Sequence, residues 1–170
     1  MGNIRSTQLY EVVERATQLS PQVVDVLIFH TSALFWSQSS PKQIPICVFM
    51  DTQFVSQFTK LYTKFSKLPS YAEVVRFYFP FFVDKKYWVA ICVDCSSWTV
   101  TVLECNTALR IDYMMTKDVR PVASMFPYLL KQVGREFGTR EGKVMGFERP
   151  RTIPQQNAVT HSVVSSLLLI

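Results

Sequence analysis

DKKYWVAICVDCSSWTVTVLECN, residues 84–106, is the stretch from which the rest of the chain is best read. Two apolar runs, Trp88 to Val93 and Trp98 to Glu104, are rich in β-branched and aromatic residues and flank the tetrapeptide Asp94-Cys95-Ser96-Ser97. That pattern predicts a β-hairpin. Both runs are nearly continuously apolar, which predicts central strands covered on two faces. Residues of a different kind stand at the outer ends: Tyr87 beside Trp88 where the first strand opens, and Glu104 where the second closes. These read as placed rather than packed.

The flanking sequence predicts helices. Leu9, Val12, Val13, Ala16 and Leu19 recur at helical spacing, so residues 7–19 should form one. Ser20-Pro21 offers a cap and a first-turn proline for another. Val23 to Phe35 is apolar around most of its circumference and predicts that this second helix is buried, with His30 a core histidine. Ser37 to Pro45 reads as a loop, Ile46 to Met50 as a short strand, and Asp51 as the cap of a helix that buries Phe54, Val55, Phe58, Leu61 and Tyr62. Val74 to Phe79 predicts a strand leading to Pro80. Thr116 to Val133 predicts a helix with Pro121 in its first turn and a kink at Pro127. Lys143 to Glu148 reads as an edge strand, Pro150 to Gln156 as a loop, and Thr160 to Ile170 as the start of a buried helix. This order predicts an α+β domain with helices packed on a mostly antiparallel sheet.

Composition narrows the function classes. A chain of 170 residues, 48% hydrophobic and 14% aromatic, is sized for one folded domain over residues 1–170 and is not of disordered type. No run approaches the roughly 18 apolar residues of a membrane span, and no secretory signal pattern opens the chain, so an intracellular setting is expected. The net charge of +5 is scattered; its densest window, Lys131 to Arg151, holds six basic and three acidic residues. Without interleaved aromatic residues this does not make a nucleic-acid platform. Met1-Gly2-Asn3-Ile4-Arg5-Ser6 fits the acceptor pattern for myristoylation on Gly2, or else merely precedes a helix capped by Ser6.

Cys47, Cys92, Cys95 and Cys105 are expected to be free and structural. Cys92 and Cys95 form a CxxC, but no second CxxC or histidine pair completes a tetrahedral site. On a strand the two would point to opposite faces. No cofactor is expected.

Three segments in order, KKYWVAICVD, WTVTVLECN and PQQNAVTHSVV, resemble the C-terminal catalytic domain of the ubiquitin-like-protein (SUMO) protease family, especially its plant transposon-associated branch. The likeness runs from about residue 24 to residue 170. It implies a papain-like cysteine-protease architecture, here cut short after the nucleophile helix begins. It also implies hydrolysis after Gly-Gly in SUMO-type modifiers or their conjugates, and a nuclear setting would fit such substrates. The family pattern is a histidine and tryptophan opening one strand, an aspartate closing the next, and a glutamine six residues before a nucleophilic cysteine. Those places fall on Tyr87, Trp88, Glu104, Gln156 and Ser162. The aspartate before the nucleophile becomes His161, the glycine after it Val163, and the asparagine four residues before it Ala158.

These substitutions bear directly on the chemistry. A cysteine thiol ionises near pH 8.5, whereas a serine hydroxyl needs a well-placed base. Tyr87 would be a neutral phenol at neutral pH, and Glu104 would have no imidazole to orient. Adjacent residues on a helix point about 100° apart, so His161 is poorly placed to serve Ser162. The expectation is a pseudo-protease; the alternatives are a modifier-binding module or a functionless relic. Trp88 is either sheet core or the wall of a channel for the glycine tail, Tyr87 either a site residue or a surface aromatic, and Gln156 either an oxyanion donor or an exposed loop residue. Trp98 is expected in the core.

Overall fold

The computed structural model describes residues 19–38, 47–56 and 73–155. The predicted helix over 7–19 apart from Leu19, the Gly2 acceptor site, the inner positions Phe58, Leu61 and Tyr62, and everything from Gln156 to Ile170 lie outside the described residues. Within them run α1 (Pro21–Gln38), β1 (Cys47–Phe49), α2 (Gln53–Ser56), β2 (Arg76–Val83), β3 (Tyr87–Asp94), β4 (Thr99–Leu103), α3 (Asp112–Gln132) and β5 (Gly146–Glu148). Short 3-10 turns at Thr107–Leu109 and Gly138–Arg140 flank α3. The architecture is α+β, as the sequence predicts.

The five strands lie side by side in chain order. β3 is antiparallel to both β2 and β4, and the outer pairs β1–β2 and β4–β5 are parallel. All eight residues of β3 are buried, as a central strand should be. β4 differs from expectation. Its burial alternates, with Val100 and Val102 fully buried and Thr99, Thr101 and Leu103 only partly covered. Period-two alternation in TVTVL turns the valines to the core and the threonines to an open groove on the other face, lined also by Arg76, Tyr78, Asp94 and Glu148.

β2 does not stop at Pro80 but runs through it to Val83. Tyr78 presents its carbonyl towards β1, where it accepts from Met50, and Pro80 has the same parity. β1 pairs only with residues 76–78, so the missing N–H of Pro80 faces a side without a ladder partner there.

One face of the sheet packs against α3 through Met115, Val119, Val122, Phe126 and Leu130, an apolar stripe at helical spacing. Phe126 contacts Phe54, Phe77 and Phe79 within ring distances of 6.4 Å. The helix starts at Asp112, ahead of the predicted Thr116, because Met115 N–H already donates to the carbonyl of Ile111. Pro121 is therefore interior; it sits on the exposed side, where water can reach the carbonyl of Lys117 that loses its donor. Pro127 likewise frees the carbonyl of Ala123. Met145 N–H takes it at 3.1 Å, tying the approach to β5 onto the helix.

α1 caps part of the opposite face. Val23, Val24 and Ile28 pack with Leu19 and Trp88, and Asp25 accepts from the backbone N–H and hydroxyl of Thr52. The helix is not buried throughout, however: Phe29, Leu34 and Trp36 are exposed, and so is His30. Apolar residues spread evenly around a helix do not mark which stripe meets the sheet, and here one stripe does.

All four cysteines are buried, and none is in a disulfide. Cys95 lies in the main core, while Cys92 looks into the groove on the other face, the opposite orientation expected of them. Trp98 is in the core, its indole N–H donating to the carbonyl of Lys143. Among the described residues no helix is long and apolar enough to cross a membrane.

Candidate active site

Strand parity brings Tyr87 and Glu104 together. Leu103 pairs with Ala90, so Glu104 falls opposite Val89 and on the same face as Tyr87, one diagonal step away. Both are buried, Tyr87 at 4% exposure and Glu104 at 1%. Tyr87 is thus not the surface aromatic that its strand-start position allowed. Its Oη and Glu104 Oε1 are both buried without a hydrogen bond of good geometry, and the Glu104 side chain lies close enough to act on the phenol. Burial first, and then the Glu104 charge, push the phenol above its ordinary pKa. Burial also raises the Glu104 carboxyl, against hydrogen bonds and charge from Arg149 that pull it down.

Arg149 is the residue that sequence reasoning missed. Its Nε and Nη2 donate to Glu104 Oε2 at 2.8 and 2.6 Å, and its side chain is 3% exposed. The remaining N–H groups go to the carbonyls of Arg110 and Thr107 and to Asp112 Oδ1. All five guanidinium donors are therefore engaged. The only sequence cue was indirect: a carboxylate ending a core strand needs a cation, and Glu148-Arg149-Pro150-Arg151 offers two. Gln155 also belongs to this end of the sheet. Its Oε1 accepts from the backbone N–H and hydroxyl of Thr107, and its Nε2 donates to the carbonyl of Glu104. Gln156 and Ser162 lie outside the described residues.

Trp88, one residue after Tyr87, points to the opposite face. It is 5% exposed, stacks on Phe82 with ring centroids 4.5 Å apart, and donates its indole N–H to the carbonyl of Leu19. It is sheet core, but it also borders an apolar cleft of about 410 Å³ shared with Pro21, Val55, Pro80 and Phe82.

Other reactive groups are poor candidates here. Burial pushes the Cys92 and Cys95 thiols up to about 11, so both stay protonated at neutral pH. Among the described residues no three metal-ligating side chains cluster.

The family profile for the Ulp1 protease C-terminal catalytic domain matches residues 24–160. The chain belongs to the Ulp1 protease family. Solved Ulp1 domains share its fold. The C-terminal Ulp1 protease domain in complex with Smt3, the yeast ortholog of SUMO, aligns with a TM-score of 0.65 at 10% identity, covering 97% of this chain and 69% of that one. The SUMO protease Ulp1 with its catalytic cysteine oxidised to a sulfenic acid gives 0.65 at 9%, over 99% and 73%. The Ulp1-like SUMO protease catalytic domain of Chaetomium thermophilum gives 0.52 at 13%, over 90% and 60%. No curated protein matches the sequence significantly. The family match extends through Tyr87 and Glu104 and ends before Ser162.

Proposed function

We propose that this chain is a catalytically silent Ulp1-type domain whose site is a dismantled cysteine-protease triad. Tyr87 stands at the histidine position, Glu104 at the aspartate position and Ser162 at the cysteine position, with Gln156 as the retained oxyanion donor. The observation that carries this reading is the closed pairing around Glu104. The carboxylate that would orient a base is held by Arg149 and faces a phenol whose pKa is raised. A phenol held in its neutral form supplies no general base at neutral pH.

The ligand of such a domain would be a ubiquitin-like modifier of the SUMO type, the partner with which a solved Ulp1 domain was captured. The apolar cleft beside Trp88 favours retained binding, because a flat apolar wall accepts a glycine tail that has no side chains to clash.

The test is hydrolysis of a fluorogenic SUMO substrate, with binding of mature SUMO measured by calorimetry. The expected outcome is no turnover above the uncatalysed rate together with a measurable heat of binding. Turnover that is lost in Ser162→Ala would refute catalytic silence. Absence of any binding heat would remove the modifier from the reading.

A further inference from the structure

We infer that Arg149 is a positioning residue that has taken over Glu104, so that a histidine put back at position 87 would not recover a carboxylate partner while Arg149 stays in place. This deepens the reading of a dismantled triad and rests on it. Among the described residues, the cleft beside Trp88 belongs to that same reading. The groove over Thr99 and Thr101 and the exposed apolar face of α1 have nothing that shows what covers them. The Glu104 environment differs, because its contacts specify their own chemistry.

Two of the five Arg149 donors fall on a single carboxylate oxygen, Oε2. The other three are anchored on the Thr107 and Arg110 carbonyls and on Asp112, which fixes the guanidinium plane from three separate points in the chain. Arg149 is thereby locked, and Glu104 is held by a clamp built independently of Tyr87. A lysine, with three donors on a flexible stem, could not reproduce this arrangement. Oε1 is the oxygen left over, buried without a hydrogen-bond partner of good geometry. The charged groups acting on this pair are Arg149, Arg151 and Arg110. An imidazole at position 87 would meet a carboxylate whose charge is already balanced by a buried cation. It would gain little of the pKa elevation that an unclaimed carboxylate confers.

The experiment is an NMR titration of the imidazole introduced by Tyr87→His in the full chain, with and without Arg149→Gln. With Arg149 present, the imidazole should titrate at or below about 6.5. With Arg149→Gln, its pKa should rise by about one unit or more. Equal values in the two backgrounds would overturn the inference. Loss of the Arg149 charge raises a nearby imidazole by itself, so the same pair of titrations is repeated with Glu104→Gln present. Release of Glu104 predicts a larger rise with Glu104 than without it, and equal rises would overturn the inference.

Should the chain carrying both Tyr87→His and Arg149→Gln fail to fold, a thermodynamic cycle with Tyr87 in place keeps the claim testable. Arg149→Gln alone should lower the folding equilibrium constant on the order of 10²-fold or more, and Glu104→Gln added to it should recover much of that loss. Strict additivity of the two substitutions would overturn the clamp. These outcomes are separable from the functional reading. Turnover by the wild-type chain would end catalytic silence without touching the imidazole titration, and an unmoved imidazole would end the clamp whatever the hydrolysis assay shows.

Discussion

At the turn end of the β3–β4 hairpin, Asp94 is a carboxylate served by its own neighbourhood. It accepts from the backbone N–H groups of Ser96 and Ser97, from the Ser96 hydroxyl, and from Arg76 on the adjacent strand. At the other end Glu104 is more deeply buried, keeps one oxygen without a good partner, and depends on an arginine 45 positions further along the chain. The pKa values diverge accordingly. Burial raises both, but at Asp94 the hydrogen bonds from Ser96, Arg76 and Ser97 win and hold the carboxyl down to about 2. At Glu104 burial wins and the carboxyl is raised. One carboxylate is part of a turn; the other is a group kept in an expensive place by long-range contacts, as residues at functional sites often are.

The largest break of this comparison is removal of each arginine. Arg149→Met strands a carboxylate that is 1% exposed and should cost about 3–5 kcal/mol in urea denaturation. Arg76→Met removes a partner whose side chain is 41% exposed and leaves Asp94 its turn donors, so it should cost at most about 1 kcal/mol. Equal losses would mean that the two ends are energetically alike.

Acid sharpens the contrast through its sign. Asp94 has a depressed folded pKa, so its contribution is present above its unfolded value of 3.8 and fades as pH falls towards about 2. Over that window Asp94→Asn should flatten the loss of stability, by up to about 2 kcal/mol. Glu104 has a raised folded pKa, so its ionisation costs stability above that value, and the cost relaxes as pH falls towards 4.5. The difference in stability between wild type and Glu104→Gln should therefore run with the opposite slope to that between wild type and Asp94→Asn. Matching slopes in pH-dependent denaturation would show that one of the two environments is misread.

The same contrast explains what the sequence disclosed. Asp94-Cys95-Ser96-Ser97 is a turn because its own side chains bond its own backbone, and such local chemistry is legible in four residues. The meeting of Tyr87 with Glu104 was expected through the family resemblance, and the observed register places both on one face. Arg149 was not, because its partners lie at Glu104, Thr107, Arg110 and Asp112, and only the fold joins them. The start of α3 was misread for a related reason. Pro121 signals a first turn in sequence, but tertiary burial of Met115 and Val119 draws the helix further back. The open side of β4 was visible in the Thr99 and Thr101 alternation and was outweighed by the apolar count. Ser162 and Gln156 remain positions assigned by resemblance.

The smallest expected effect concerns backbone conformation near each end. The turn leading into Tyr87 places Asp84 at φ 51° and Lys85 at φ 53°, and Lys86 N–H closes it on the Val83 carbonyl. Consecutive left-handed residues suit Asx-Gly, so lysine is strained where glycine would not be. Asp84 should be kept, because it pairs with Lys86 and Arg110. Lys85 is exposed. Lys85→Gly should therefore raise stability by about 0.5 kcal/mol, after the greater flexibility of the unfolded chain is subtracted, and Tm by about 1–2 °C. Trp98, at φ 63° by the Asp94 turn, carries the same kind of strain, yet its ring packs on Phe137 and its indole N–H is bonded to Lys143. Glycine there would remove more packing than it relieves strain. Thermal melts of Lys85→Gly and Trp98→Gly should thus shift in opposite directions, and a lower Tm for Lys85→Gly would show that the lysine stem contributes packing that its exposure conceals.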